Sequence, residues 1–531
     1  MKTNLASAGW LSLALLLADL SSANQASIIQ CEPFPTHMWS GETVEIVARF
    51  INRTGATGAA VMRWRFVLSA AHLVEGEKSF ALTPDGGEPV TINFQAPELR
   101  HVSNVACRFL VMQGEDVLTD QRTEITIFPA WDPEPLRRLL SNADVAVADP
   151  SGLLQKTLSP HSLEYRQTPT AQAVRAFRGR ALIFGPGARS SPNLVASALE
   201  AAEAGLTVLW LEPGETSEWQ EPFGLPESSA VGSAHVAPLS PGHPALEGLR
   251  RSDLQHWRCE RYPDYMMARP RGGNFRPIAA LARATPDFSL LELFPGTGRI
   301  VLCQMPVVRC FETEPVARIL LESLVRYSLT EVPEFHPAIL WAPPDSALPA
   351  LVEEARAELI EDGLPSSSLL IIAADAHSLD YAKNREPALR DKIRAHLNAG
   401  GKCLFIGAEP AGKPFLESAG LPAVEFQLFP LLPLLPLSPE PVPLAWGISI
   451  PHLWQVLEAA DPTPIIQHMV SATDSTVAIA PGAVIKLQVG SGEAILCQFA
   501  LHRAPEHPAV VNLFRQLLTN LAVRLHRKDE Q

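Results

Sequence analysis

Four side chains in this sequence are of types that carry acid–base chemistry and stand where strands end: Glu212, Asp375, His377 and Glu409. In open parallel sheets, ligands bind beyond the carboxyl ends of the strands, so these positions are the first to weigh. Glu212 follows the apolar run Leu206-Thr-Val-Leu-Trp-Leu211, and Glu409 follows Cys403-Leu-Phe-Ile406 in what reads as an equivalent turn. A carboxylate there can bind a sugar hydroxyl or act as a general base. It can also simply cap the next segment or face water, and the residue types favour that use. Asp375 and His377 follow Leu369-Leu-Ile-Ile-Ala373 and offer a carboxylate and an imidazole together. No Ser or Cys nucleophile is placed for them, and Ser378 adjoins His377 in sequence without thereby forming a dyad. The sequence holds no GxSxG, no P-loop, and no GxGxxG between a strand and a helix. No CxxC and no Cys/His set has zinc-ligand spacing. No metal or cofactor is expected.

The elements that must position these residues occur twice. Leu290-Leu-Glu-Leu-Phe-Pro-Gly-Thr-Gly-Arg-Ile-Val-Leu-Cys-Gln304 is answered by Val484-Ile-Lys-Leu-Gln-Val-Gly-Ser-Gly-Glu-Ala-Ile-Leu-Cys-Gln498. The offset is constant, 490 − 296 = 194 at the first glycine and 498 − 304 = 194 at the glutamine. Each copy predicts a strand, a Gly-x-Gly turn and a second strand. An amphipathic helix follows, over 314–329 in the first copy and 508–523 in the second. The first strand of each half, Asp144–Ala148 and Ala338–Trp341, keeps the same offset, 338 − 144 = 194. A fixed period of this length implies two domains in tandem on one plan, and repeated domains often bury equivalent faces.

At 531 residues the chain has room for about three domains. Residues 1–23 read as a secretory signal: Lys2, the apolar Leu11–Leu17, then Ser21-Ser22-Ala23. Its apolar run is too short to span a bilayer, and a buried helix is the alternative. Residues 27–129 predict an all-β domain. Its strands are expected at Ser27–Cys31, Thr43–Asn52, Ala59–Leu68, Pro89–Phe94, Ser103–Met112 and Thr123–Phe128. Val44, Ile46, Ala48 and Phe50 alternate with polar residues as one buried face requires. Several short strands in this length fit an immunoglobulin-like sandwich, with Trp64 as a core anchor. Residues 135–330 and 335–528 each predict an α/β domain of strands alternating with helices around a mainly parallel sheet. The stretch 421–444, rich in Pro and Leu, is expected as extended chain.

The chain is 47% hydrophobic and 19% charged, with a net charge of −14. It has no run of Lys or Arg interleaved with aromatics, which argues against nucleic acid as a partner. No segment is a stable membrane span. Of seven cysteines, Cys303, Cys403 and Cys497 read as core residues, while Cys31 and Cys107 could pair if the protein is exported.

The strand–Gly-rich turn–helix order and the closing Gly-x-Gly hairpin with its final helix resemble the class I glutamine amidotransferase-like fold, including its divergent ThuA-like branch. The resemblance implies a flavodoxin-like α/β fold for each half. It would put a nucleophilic Cys in the turn after Leu206–Leu211 or Cys403–Ile406. This sequence has Glu212-Pro213 and Gly407-Ala408-Glu409 there. A second stretch, Gly242-His-Pro-Ala-Leu-Glu-Gly-Leu-Arg-Arg-Ser-Asp-Leu-Gln-His-Trp257, is similar to a segment of amidotransferase-like modules attached to bacterial family 2-type glycoside hydrolases, of the β-galactosidase and β-mannosidase kinds. There too an immunoglobulin-like domain precedes the α/β modules. The resemblance implies an extracytoplasmic, non-catalytic accessory or scaffold protein of carbohydrate degradation. Its partners would be a glycan, a glycoside hydrolase or further copies of itself. The alternative is a hydrolase, or a fragment of a glycoside hydrolase, working from Glu212, Asp375, His377 or Glu409.

Overall fold

The computed structural model describes residues 27–526 apart from 33, 216–218, 220, 227–235, 240–241, 259–264, 271, 282–286, 362, 364, 429–467, 473–474 and 480–483. The expected leader and most of the Pro/Leu-rich stretch lie outside the described residues. The chain divides into two compact units. One gathers Met1–Pro133 with His256–Glu260 and Cys310–Arg318, and the other holds Glu134–Gln255, Arg261–Arg309 and Ile319–Gln531.

In the first unit, eight strands form two sheets. They are β1 (Ser27–Glu32), β2 (His37–Trp39), β3 (Thr43–Asn52), β4 (Gly58–Leu68), β5 (Ala71–Leu82), β6 (Val90–Gln95), β7 (Ser103–Gln113) and β8 (Asp116–Phe128). One sheet has the order β1-β3-β6 and the other β2-β8-β7-β4-β5. Alternation decides what is buried: Ile46, Ala48 and Phe50 of β3 turn inward, as do Met62 and Phe66 of β4, into one shared core. Phe66 ties the sheets together, with its ring 5.1 Å from Phe94 and 5.8 Å from Phe109. Strands β2 and β5 go beyond the six expected. The outward positions Glu75 and Glu77, with Gly76 between them, hide β5's alternation. Gly76 is needed because any Cβ there would lie 2.4 Å from the Trp64 ring. Trp64 is thus half-buried at the core's margin, over Gly76, rather than a central anchor. Cys31 and Cys107, which could pair if the protein is exported, are free thiols. Burial pushes the Cys31 thiol up to about 11. The added segment Cys310–Arg318 brings buried Glu314 within 3.0 Å of His37 Nδ1. It also places Arg318 over the rings of Trp131 (4.9 Å) and Phe311 (5.0 Å).

Among the described residues, the second unit holds two mixed sheets. In the first, β9 (Val145–Ala148), β10 (Ala181–Phe184), β11 (Thr207–Leu211), β12 (Val236–Pro238), β13 (Phe275–Leu281), β14 (Phe288–Leu293) and β15 (Arg299–Cys303) take the order β12-β13-β14-β15-β11-β10-β9. The second has β16 (Ala338–Trp341), β17 (Leu369–Ala373), β18 (Lys402–Ile406), β21 (Ser475–Ile479), β22 (Val484–Val489) and β23 (Gly492–Cys497), in the order β16-β17-β18-β23-β22-β21. A separate pair, β19 (Val424–Leu428) and β20 (His468–Ala472), is antiparallel. Four strands are parallel in each large sheet: β15-β11-β10-β9 in one and β23-β18-β17-β16 in the other. An antiparallel hairpin strand, β14 or β22, then borders β15 or β23.

The Gly-x-Gly turns have a steric cause. Gly298 lies against the end of helix Pro192–Glu203, where a Cβ would stand 2.1 Å from the Ala202 carbonyl oxygen. Gly492 meets the end of helix Leu389–Asn398 in the same way, 2.4 Å from the Leu397 carbonyl oxygen. The helices expected after each hairpin are observed at Pro315–Ser328 and Pro508–Asn520. Within this unit, Asn274, just before β13, donates to the Val523 carbonyl (2.7 Å) and accepts from Leu525 N–H (2.8 Å).

Candidate functional site

The strands β11 and β18 end in different residues at the same structural position. The backbone N–H of Glu212 donates to the Cys303 carbonyl, and that of Gly407 donates to the Cys497 carbonyl. Both residues have positive φ, 48° for Glu212 and 76° for Gly407. A left-handed turn of this kind swings the chain sharply off the strand end, and it costs a non-glycine residue about 1–2 kcal/mol. Glu409 stands two residues further on, so it does not occupy the turn position that Glu212 holds.

Glu212 does not face an open cleft. Its buried carboxylate accepts from the backbone N–H groups of Val308 (2.5 Å) and Arg309 (3.1 Å) and from Arg309 Nε (2.6 Å). Burial pushes this carboxyl up, while the Arg309 guanidinium and the two N–H groups oppose the shift. The side chain is a clamp between the β11 turn and the loop after β15.

In the second sheet the expected pairing is broken. His377 is exposed, and its Nε2 lies 2.9 Å from Asp345 Oδ2. Asp375 caps helix Ala376–Arg385 and accepts from Ser378 N–H (3.0 Å) and Ser378 Oγ (2.7 Å). The imidazole that approaches Asp375 is His502, from the turn Leu501–Arg503 after β23, with Nε2 3.9 Å from Asp375 Oδ2. Burial pulls His502 below the usual histidine range and Arg503 adds to that, against the pull of Asp375. Glu409 joins the group. Burial and the Asp375 charge push its carboxyl up, opposed by Arg503 and a bond from the Ala376 N–H. Sequence reading missed His502. The available signal is the 194-residue offset, which sets His502-Arg503 against Val308-Arg309 (502 − 194 = 308).

A third cluster, also missed, is internal. Glu292 of β14 and Arg299 of β15 are fully buried, with Tyr327, His243 and Arg276 around them. The Tyr327 hydroxyl donates to Glu292 at 2.5 Å. His243 Nδ1 accepts from Ala245 N–H, so Nε2 carries its proton toward Glu292, at 3.5 Å. Arg299 donates to the Tyr327 carbonyl at the end of helix Pro315–Ser328 (2.8 Å), which makes it a helix C-terminal anchor. The cluster starts at the amino end of β15, away from the strand ends where ligands bind. The Gly242–Trp257 segment contributes His243 to it.

Among the described residues, no group of three or more His, Cys, Asp or Glu side chains could hold a metal ion. Also among them, no helix is long and apolar enough to cross a membrane. Cys310 is disulfide-bonded.

No family model and no curated protein matches the chain. Solved structures match weakly. A Bacteroides fragilis protein assigned provisionally as a beta-galactosidase aligns at 7% identity over 36% of this chain and 39% of its own, with a TM-score of 0.17. A glycosyl hydrolase family 2 member from Bacteroides cellulosilyticus aligns at 13% identity over 35% and 24%, with a TM-score of 0.16. A chain from the human complex of Zinc 2-glycoprotein and prolactin inducible protein aligns at 11% identity over 19% and 93%, with a TM-score of 0.15. This chain therefore spans well under half of the two bacterial proteins, and scores at this level establish no shared fold.

Proposed function

We propose that this protein is a non-catalytic accessory or scaffold component of extracytoplasmic carbohydrate degradation, binding glycan or docking to a glycoside hydrolase. One observation carries the reading: the two turns where an amidotransferase-like module would hold its nucleophile bear Glu212, fully engaged as a clamp, and Gly407, which has no side chain. The glycoside-hydrolase setting rests on the Gly242–Trp257 resemblance. The strand orders β1-β3-β6 and β2-β8-β7-β4-β5 fit an immunoglobulin-like sandwich, and the matching orders of the two large sheets fit duplication of one amidotransferase-like module. The disulfide at Cys310 fits an oxidising compartment.

The rival, a hydrolase, draws on Asp375, Glu409 and His502, since an enzyme needs titratable groups that converge. The deciding experiment screens purified protein against oligosaccharides and aryl-glycosides for melting shifts and for turnover. Shifts without turnover are expected. Turnover lost in Glu409→Gln would replace the accessory reading with a hydrolase.

A further inference from the structure

The two large sheets treat the same turn in opposite ways. In the first sheet the Glu212 carboxylate reaches back and closes the turn onto Val308 and Arg309. In the second, Gly407 offers no side chain, and the polar groups around it come from separate segments. Asp375 follows β17, Glu409 follows β18, and His502 and Arg503 follow β23. His502 and Asp375 meet over Gly407, and the Asp375 and Arg503 charges act on Glu409. A Cβ placed on Gly407 would stand 3.1 Å from His502 Cε1 and 3.7 Å from Asp375 Cβ. Asp375, Glu409, His502 and Arg503 are all partly accessible. The His502 Nδ1 atom is buried and finds no hydrogen-bond partner among the described residues.

We infer that these groups form a binding site for a neutral sugar at the carboxyl ends of β17, β18 and β23. This inference rests on the accessory reading and gives its glycan a location. The chemistry of the groups selects the ligand class. Two carboxylates side by side repel an anion, and the donor set fits no metal. Carboxylates accept hydrogen bonds from hydroxyl pairs, and charge-assisted bonds of this kind are the strong ones. A neutral imidazole adds one acceptor and one donor, and a guanidinium adds donors for ring or hydroxyl oxygens. A polyhydroxylated, uncharged ring uses all of these at once. At the corresponding turn of the first sheet Glu212 is already taken up by Val308 and Arg309.

The test is calorimetric titration of the full-length protein with the methyl glycosides of galactose, mannose and glucose. Glu409→Gln and His502→Gln are compared with wild type, and each variant is first checked by circular dichroism melting. Both variants keep a polar side chain and remove one acid–base group at a partly exposed position, so folding is expected to persist. Arg309→Gln serves as a control in the first sheet. Binding of at least one glycoside by wild type is expected, with a loss of about tenfold or more in Glu409→Gln and His502→Gln and no change in Arg309→Gln. Undiminished binding in both second-sheet variants would overturn the site while leaving the accessory reading intact. No binding by wild type would overturn the site together with the glycan-binding form of that reading, and would leave docking to a hydrolase standing.

Discussion

The Arg299 guanidinium lies 4.1 Å from the centre of the Tyr327 ring, and the Tyr327 hydroxyl donates to Glu292, which Arg299 also faces at 3.6 Å. These three side chains join the β14–β15 hairpin to the helix that closes the first large sheet. A buried carboxylate between two arginines is costly to unpair, since its partners would be left as uncompensated charges. Glu292→Gln is therefore expected to destabilise the protein by about 3–5 kcal/mol, read as a lowered midpoint in urea unfolding.

The same carboxylate should set part of the acid sensitivity. Burial alone would raise Glu292, but His243, Arg276 and Arg299 outweigh it and hold the carboxyl below the ordinary glutamate value. A depressed folded pKa means that the unfolded state binds the proton first. The stabilisation is thus complete above the unfolded value, about 4.3, and is lost as pH falls through the lower folded value. Urea midpoints taken below pH 4 should fall more steeply in wild type than in Glu292→Gln. Parallel curves would show that the charge is not held down by its partners.

Glu212→Gln separates clamp from catalyst. The amide oxygen can still accept from Val308 and Arg309 N–H, but its NH2 group is then turned toward the Arg309 Nε donor. Arg309 is two-fifths exposed, so its charge is partly screened. A loss of about 1–3 kcal/mol in stability is expected, with glycoside binding unchanged in the protein that remains folded. Lost binding without lost stability would return Glu212 to the ligand site.

The hairpins were the most legible feature of this sequence, because Gly298 and Gly492, the second glycines of the two Gly-x-Gly turns, answer a backbone contact that admits no Cβ. The inward faces of β3 and β4 were legible for the same local reason, alternation. Strand β5 was not, because an edge strand with Glu75, Gly76 and Glu77 shows no apolar period. The site was legible only in part. Asp375 and Glu409 could be placed at strand ends, but His377 follows its helix outward to Asp345, and the imidazole that replaces it is distant in sequence. Neighbours in sequence say little about neighbours across a sheet when the chain between them makes a crossover.

Among the described residues, Cys31, Cys107, Cys303, Cys403 and Cys497 are free thiols, and Cys310 is bonded. Alkylation of the denatured, unreduced protein followed by peptide mass spectrometry should label the first five and leave Cys310 unlabelled until reductant is added. Reductant should also lower the melting temperature, since removing a native disulfide costs about 2–5 kcal/mol. Labelling of Cys310 without reductant would remove the support it lends to an exported location.

Asn274 gives the last test, of the junction between the two large sheets. Its buried side chain satisfies the Val523 carbonyl and the Leu525 N–H together, beyond the end of helix Pro508–Asn520. Asn274→Ala strands both backbone groups, and a stranded buried group costs about 1–3 kcal/mol. Asn274→Asp keeps an acceptor for Leu525 but sets a carboxylate oxygen against the Val523 carbonyl oxygen, and it should cost at least as much. Hydrogen exchange should then quicken at Leu525 and along the end of Pro508–Asn520, while β9, β10 and β11 keep their protection. Loss of protection throughout both sheets would mean that they unfold as one body, with Asn274 as its weakest shared contact.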